Sequence, residues 1–207
     1  MTMQICDLLY LPFKNKKYSM LAYENDWLIN IDNLGIAPVV HAILTCNWKG
    51  YESEYVIKDN KYLYWDYLMF RAKEGVFPPI NGVTAKLTVT EFKVDGETEK
   101  DYFMEYKNIM KVPYTGGIIL GDGLIRRLGE NQGYQYPHIY KEVLECRFKC
   151  GELVCVKDYS DEMRHIRKRL EDKFIIEELS RRFLFNKFHS QSYKDKWKVY
   201  KYFKLNY

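Results

Sequence analysis

Eight residues near the end of the chain carry its sharpest chemical pattern. Lys194, Lys196, Trp197, Lys198, Tyr200, Lys201, Tyr202 and Lys204 alternate ammonium groups with aromatic rings. Lysines can neutralise phosphates while rings stack on bases, so this spacing suits nucleic-acid binding or contact with a partner. The same alternation also suits an edge strand whose lysines discourage aggregation and whose rings turn inward. A pI near 8.6 is too mild to separate the two readings.

Elsewhere the reactive residue types are scattered. Cys6, Cys46, Cys146, Cys150 and Cys155 are odd in number and lack a His at zinc-finger spacing, which favours free thiols over a metal site. The glycines of Thr115–Ile125, TGGIILGDGLI, match neither a P-loop nor a dinucleotide fingerprint, and they predict a strand–turn–strand. His41, His138, His165 and His189 stand in no metalloprotease or deaminase motif, and there is no nucleophile elbow. Asp158, Asp161 and Glu162 fall where a helix N-terminus wants negative charge. No catalytic residue, metal or cofactor is assigned on this basis. An enzyme would have to assemble a dispersed site, with His41 or His138 meeting distant carboxylates.

The elements that must position these residues divide the chain in two. Residues 1–158 are rich in short alternating runs separated by turn signals, and they predict an antiparallel β-rich domain. Residues 159–207 form a basic appendage, helical and then aromatic. From 161 onward it has no Gly or Pro, and its 13 Lys and Arg against 7 Asp and Glu give +6. The whole chain is +4, so the basic excess lies in that appendage. Ser160 is the predicted N-cap of a helix whose apolar stripe starts at Met163 and Ile166. The fold class expected is therefore α+β, mainly antiparallel, a single β-rich domain with a C-terminal helix.

Within the β region, Tyr18–Tyr23 and Trp27–Ile31 predict an opening hairpin, and Val39–Thr45 is a short apolar run. Thr84–Val94 alternates cleanly before an Asp95-Gly96 turn, and Val143–Phe148 with Leu153–Val156 predicts a last hairpin. The clearest hairpin is Cys46–Trp65, where two aromatic-rich runs flank Lys58-Asp59-Asn60-Lys61. The count comes to seven or eight strands. Tyr, at 19 residues, is abundant and suits half-exposed strand faces or a binding surface.

That hairpin resembles a motif of an uncharacterised family of bacterial β-rich proteins, approximately C-W-R-G-Y-x3-W-x-I-x-[DN]-x-x-L-Y-L. Cys46, Trp48, Lys49, Gly50, Tyr51, Ile57, Asn60, Leu63 and Tyr64 fit it, with Asn47 inserted, Lys49 for Arg and Tyr55 for the second Trp. Tyr114, Thr115, Gly116 and Ile118, then Gly133, Tyr134, Ile139 and Tyr140, resemble two later segments in weaker form. The resemblance covers about residues 20–158 and implies a compact β-rich bacterial protein with no attached reaction. Its motif residues Cys46, Trp48, Gly50, Tyr51, Ile57, Leu63 and Tyr64 are expected to be structural.

The function expected is that of a non-enzymatic binding protein with a protein partner, of the kind found as immunity or phage-defence-associated proteins. The alternative is nucleic-acid binding through the basic aromatic tail. No run of about 18 apolar residues predicts a membrane span, and the first residues do not read as a secretory signal, so a cytoplasmic protein is expected.

Overall fold

A computed structural model describes residues 5–24, 28–36, 47, 49–72, 77–94, 97–128 and 135–172. Nine strands and one α-helix account for most of them. The strands are β1 (Leu8–Leu11), β2 (Lys16–Tyr23), β3 (Tyr51–Lys58), β4 (Tyr62–Ala72), β5 (Lys86–Val94), β6 (Glu97–Lys111), β7 (Gly116–Leu124), β8 (Tyr140–Lys149) and β9 (Glu152–Asp158). The helix, α1, spans Ser160–Asp172. The α+β class, mainly antiparallel with a helix towards the C-terminus, is as the sequence predicts.

One sheet holds all nine strands, in the order β3-β1-β2-β7-β8-β9-β4-β6-β5. Because β3 also pairs with β4, the sheet curls until it meets itself, and seven strands form a ring. The ring closes narrowly, with Tyr62 opposite Glu152 as the one register pair between β4 and β9. The Leu63 amide donates to the Gly151 carbonyl at 2.9 Å, and the Leu153 amide to that of Lys61 at 2.7 Å. Every pairing is antiparallel except β1 with β3, which is parallel. That exception is invisible to local patterning, because it joins strands far apart in sequence.

The ring interior is the main core, where Leu9, Met20, Ile57, Leu63, Trp65, Leu68, Phe70, Tyr106, Ile118 and Leu120 are buried. A second core lies on the other side of β2, β7 and β8. There Leu21, Ala22, Ile119, Ile139 and Val143 receive Met163 and Ile166 of α1. A bulge between Met20 and Ala22 turns both Leu21 and Ala22 to the second core while Met20 and Tyr23 stay in the main one, so Met20-Leu21-Ala22 is apolar without alternation.

Several local expectations need correction. The opening hairpin is β1–β2, turned by a 3₁₀ segment at Pro12–Lys14 and by Asn15 at φ 50, and residues 28–31 form no strand. Strand β7 runs unbroken through its glycines, with no turn inside it. Gly121 is there for space: a Cβ would lie 2.7 Å from Leu21 Cδ1 and 2.8 Å from Tyr140 Cγ. Ser160 is the first helical residue, and its hydroxyl accepts the Val143 amide at 3.0 Å rather than an amide of its own helix. The run Val39–Thr45 lies outside the described residues.

Candidate functional site

The Cys46–Trp65 hairpin forms as β3–β4, and β4 runs past the motif to Ala72. In the turn between the paired Lys58 and Tyr62, Asp59 and Asn60 take φ 54 and 51, a left-handed conformation that Asp and Asn tolerate, and the Lys61 amide donates to the Lys58 carbonyl. Tyr51, Ile57 and Leu63 point into the core, Gly50 takes φ 73, and Tyr64 stands half-buried on the outer face. Cys46 and Trp48 lie outside the described residues.

The motif's basic position has a definite task. Lys49 forms an ion pair with Asp7, just before β1, and the two side chains are only 6% and 5% exposed. Burial pushes the Asp7 carboxyl above its ordinary range, with the Lys49 ammonium opposing that rise. Lys49 Nζ also lies 4.7 Å from the centre of the Tyr51 ring. Nearby Trp65 Nε1 donates to Ser53 Oγ at 2.7 Å. The pair ties the start of β1 to the entry of β3 and is sealed from solvent. Sequence reading missed it because Asp7 and Lys49 are 42 residues apart.

Two further polar clusters sit between strands. Around Glu142, Lys16 Nζ lies 3.0 Å from one carboxylate oxygen and Tyr18 OH donates to the other at 2.9 Å. Lys16 also reaches Asp122 at 2.6 Å. Burial, then the bond to Glu142, raise the Tyr18 hydroxyl above its ordinary range. In the second cluster, Arg147 bridges Glu24 at 3.0 Å and Glu145 at 2.9 Å, while Glu24 accepts the Gly117 amide. In both, carboxylates are held by cations and by hydroxyl or amide donors across neighbouring strands. Of the described histidines, His165 Nδ1 lies 2.8 Å from the Asp161 carbonyl oxygen and His138 stacks on Tyr136.

The outer face of β3, β4 and β6 is the most featured surface. Asp66 is an extra residue in the pairing of β4 with β3, where Glu54 meets Tyr67 and Tyr55 meets Trp65. It coincides with a shift against β6, where Trp65 meets Met110 and Tyr67 meets Lys107. This double bulge opens a groove of about 370 Å³ lined by Glu52, Glu54, Asp66, Tyr67, Lys107 and Asn108. Towards the β3–β4 turn, Lys61 and Lys111 lie 5.0 and 3.6 Å from the Tyr62 ring, and Lys58, 4.7 Å from that of Tyr64, reaches Asn108 at 3.1 Å and Asp66 at 3.7 Å in the groove.

A second surface is the ribbon of β5 and the first half of β6. Its register is unbroken from Lys86–Glu105 to Val94–Glu97. Leu87 stands opposite Met104 and Val89 opposite Tyr102, so the buried face of β6 continues onto β5. Met104 is buried, yet Leu87 and Val89 are 51% and 44% exposed.

The sequence-predicted binding residues Lys194, Lys196, Trp197, Lys198, Tyr200, Lys201, Tyr202 and Lys204 lie outside the described residues. No described helix is long and apolar enough to cross a membrane. Comparison with protein-family models, curated proteins and solved structures finds no match to this chain.

Proposed function

We propose that this chain is a binding protein that engages a protein partner through its β5–β6 ribbon. The observation that supports this reading is the uncovered apolar strip of Leu87 and Val89. It continues the inward face of the sheet, beside a β5 edge that, among the described residues, pairs with β6 alone. A strand edge offers unpaired amides and carbonyls to an incoming strand, and alternating apolar side chains give that strand a register. The partner this fits is an extended segment with apolar residues at every second position. Lys86 and Lys93, at either end of β5, keep the free edge from pairing indiscriminately.

The test is quantitative capture with the full chain and with a Leu87→Lys, Val89→Lys variant of equal melting temperature. One stoichiometric protein retained by the first and lost by the second is the expected result. Equal retention by both, or no stoichiometric protein on either, would refute the reading.

A further inference from the structure

We infer that the C-terminal tail of this chain, residues 193–207, docks as a further strand along the open edge of β9. The inference concerns a different edge from the ribbon and stands whether or not the ribbon binds a partner.

Strand β9 is the weak point of the ring. It pairs with β8 along its length, but on the β4 side its one register pair is Glu152 with Tyr62. From Val154 onward that side meets no strand among the described residues. The Tyr159 amide donates to the Val143 carbonyl on β8, and strand alternation then aims the Val156 and Asp158 amides at the open edge. Val156 stands opposite Cys146, which is fully buried in the main core, yet it is 37% exposed, and Val154 is 61% exposed. The inner face of β9 is therefore covered towards β8 and open on its other flank. Exposed edges are normally guarded by charge or proline. Lys86 and Lys93 guard β5 in that way, whereas Val154-Cys155-Val156 carries neither. An apolar edge of this kind calls for a covering strand.

Chain path and residue pattern select the tail as that strand. Helix α1 starts where Ser160 accepts the Val143 amide, and its Arg167 donates to the carbonyls of His138 and Tyr140. Leu144 is opposite Asp158, so the helix travels on past the end of β9. Its 13 residues advance about 20 Å. Residues 173–192 can span up to about 66 Å when extended, more than the return requires. A strand that returns this way enters beside Asp158 and runs antiparallel to β9. The tail, YKDKWKVYKYFKLNY, has the period of a strand: Trp197, Val199, Phe203 and Leu205 share one face, and Lys194, Lys196, Lys198 and Lys204 share the other. With the apolar row beside Val156, the lysine row faces solvent and guards the new edge. In the register that sets Phe203 beside Val156, Lys201, which interrupts the apolar row, comes beside Asp158. A tethered strand acts at an effective concentration of the order of millimolar, which a second copy in dilute solution does not match. Trp197 and Phe203 then cover apolar surface and are not free to stack on bases.

Amide hydrogen exchange on the full chain, at about 5 µM and about 200 µM protein, tests the proposal. The Val156 and Asp158 amides should be protected equally at both concentrations. Phe203→Lys with Leu205→Lys should speed their exchange at least about tenfold, while Phe203→Leu with Leu205→Ile should keep the original rates. Unchanged protection at Met20 and Leu120, in the β2–β7 pairing, verifies that the lysine variant folds. A second measurement avoids disruptive changes: under oxidation, Lys204→Cys should bond to the native, exposed Cys155, as mapped by mass spectrometry, and Lys194→Cys should not. Unprotected Val156 and Asp158 amides in the full chain overturn the proposal, as does protection that the lysine variant leaves intact or equal crosslinking from positions 194 and 204. Protection that appears only at the higher concentration would assign the edge to a second copy and overturns it equally.

Discussion

Lys49 and Asp7 are each other's counter-ion inside the protein, joining the approach to β3 with the approach to β1. Desolvating two charges is expensive, and the pair is tolerated only while both members are present. Lys49→Met should therefore cost about 3–5 kcal/mol in urea unfolding, by leaving Asp7 buried without a cation. Lys49→Met combined with Asp7→Leu should recover most of that loss. A double variant as unstable as the single one would mean that Lys49 acts through packing on Tyr51.

Glu142 predicts how stability responds to acid. Burial pushes its carboxyl up, but hydrogen bonds from Lys16 and Tyr18, with Lys14 nearby, prevail and hold it below the ordinary 4.5. A carboxyl lowered in the folded state stabilises the fold above its unfolded value and loses that contribution as pH falls through the folded one. Urea midpoints should therefore decline below about pH 4.5, and Glu142→Gln should flatten that decline while lowering the midpoint at neutral pH. An unchanged acid limb in the variant would assign the decline to other carboxylates.

Gly151 is the single residue on which closure of the ring depends most. It sits at φ 78, and a Cβ there would collide with the Val112 carbonyl oxygen, which is backbone and cannot step aside. Its amide donates to the Tyr114 carbonyl at 2.7 Å and its carbonyl accepts the Leu63 amide. Gly151→Ala is expected to destabilise by about 1–3 kcal/mol from the strained backbone alone. Amide exchange should rise first at Leu63 and Leu153. A variant with wild-type exchange at those two amides would show that the seam adapts freely.

The ribbon predicts a separation of stability from binding. Leu87→Lys and Val89→Lys should each change unfolding free energy by no more than about 0.5 kcal/mol, as exposed substitutions do. A larger loss would mean that these side chains are covered in the free protein and serve its fold.

Much of the fold could be read from local pattern, and the parts that escaped share a physical cause. The hairpins β3–β4 and β8–β9 announce themselves through turn residues that take left-handed φ, Asp59-Asn60 and Cys150-Gly151, and β5 announces itself through its alternation. Strand β6 gave no such signal, because ETEKDYFMEYKNIMK is rich in Glu, Lys, Asp and Asn, all poor strand formers. Its strand state comes from pairing with β4 and β5 on both sides. The alternation of Thr84–Val94 predicted a strand correctly, and most of β5 is exposed. The groove on β3, β4 and β6 depends on Asp66 slipping against β3 and β6 together, and no window of sequence shows that. The motif hairpin held the basic position, Lys49, but not the identity of its counter-ion.

The order of the strands also sets a timetable for folding. Ser19 of β2 pairs with Gly121 of β7, and Leu8 of β1 with Glu54 of β3. During synthesis at about 5–20 residues per second, β2 would wait about 5–20 s for the strand that flanks it. Through that interval Met20, Leu21 and Ala22 have neither β7 nor α1 to cover them. Non-local pairing of this kind slows folding and exposes the nascent chain to misassembly. The parallel β1–β3 contact is available much earlier, and it leaves β1 to β4 as the half-ring onto which the later strands close.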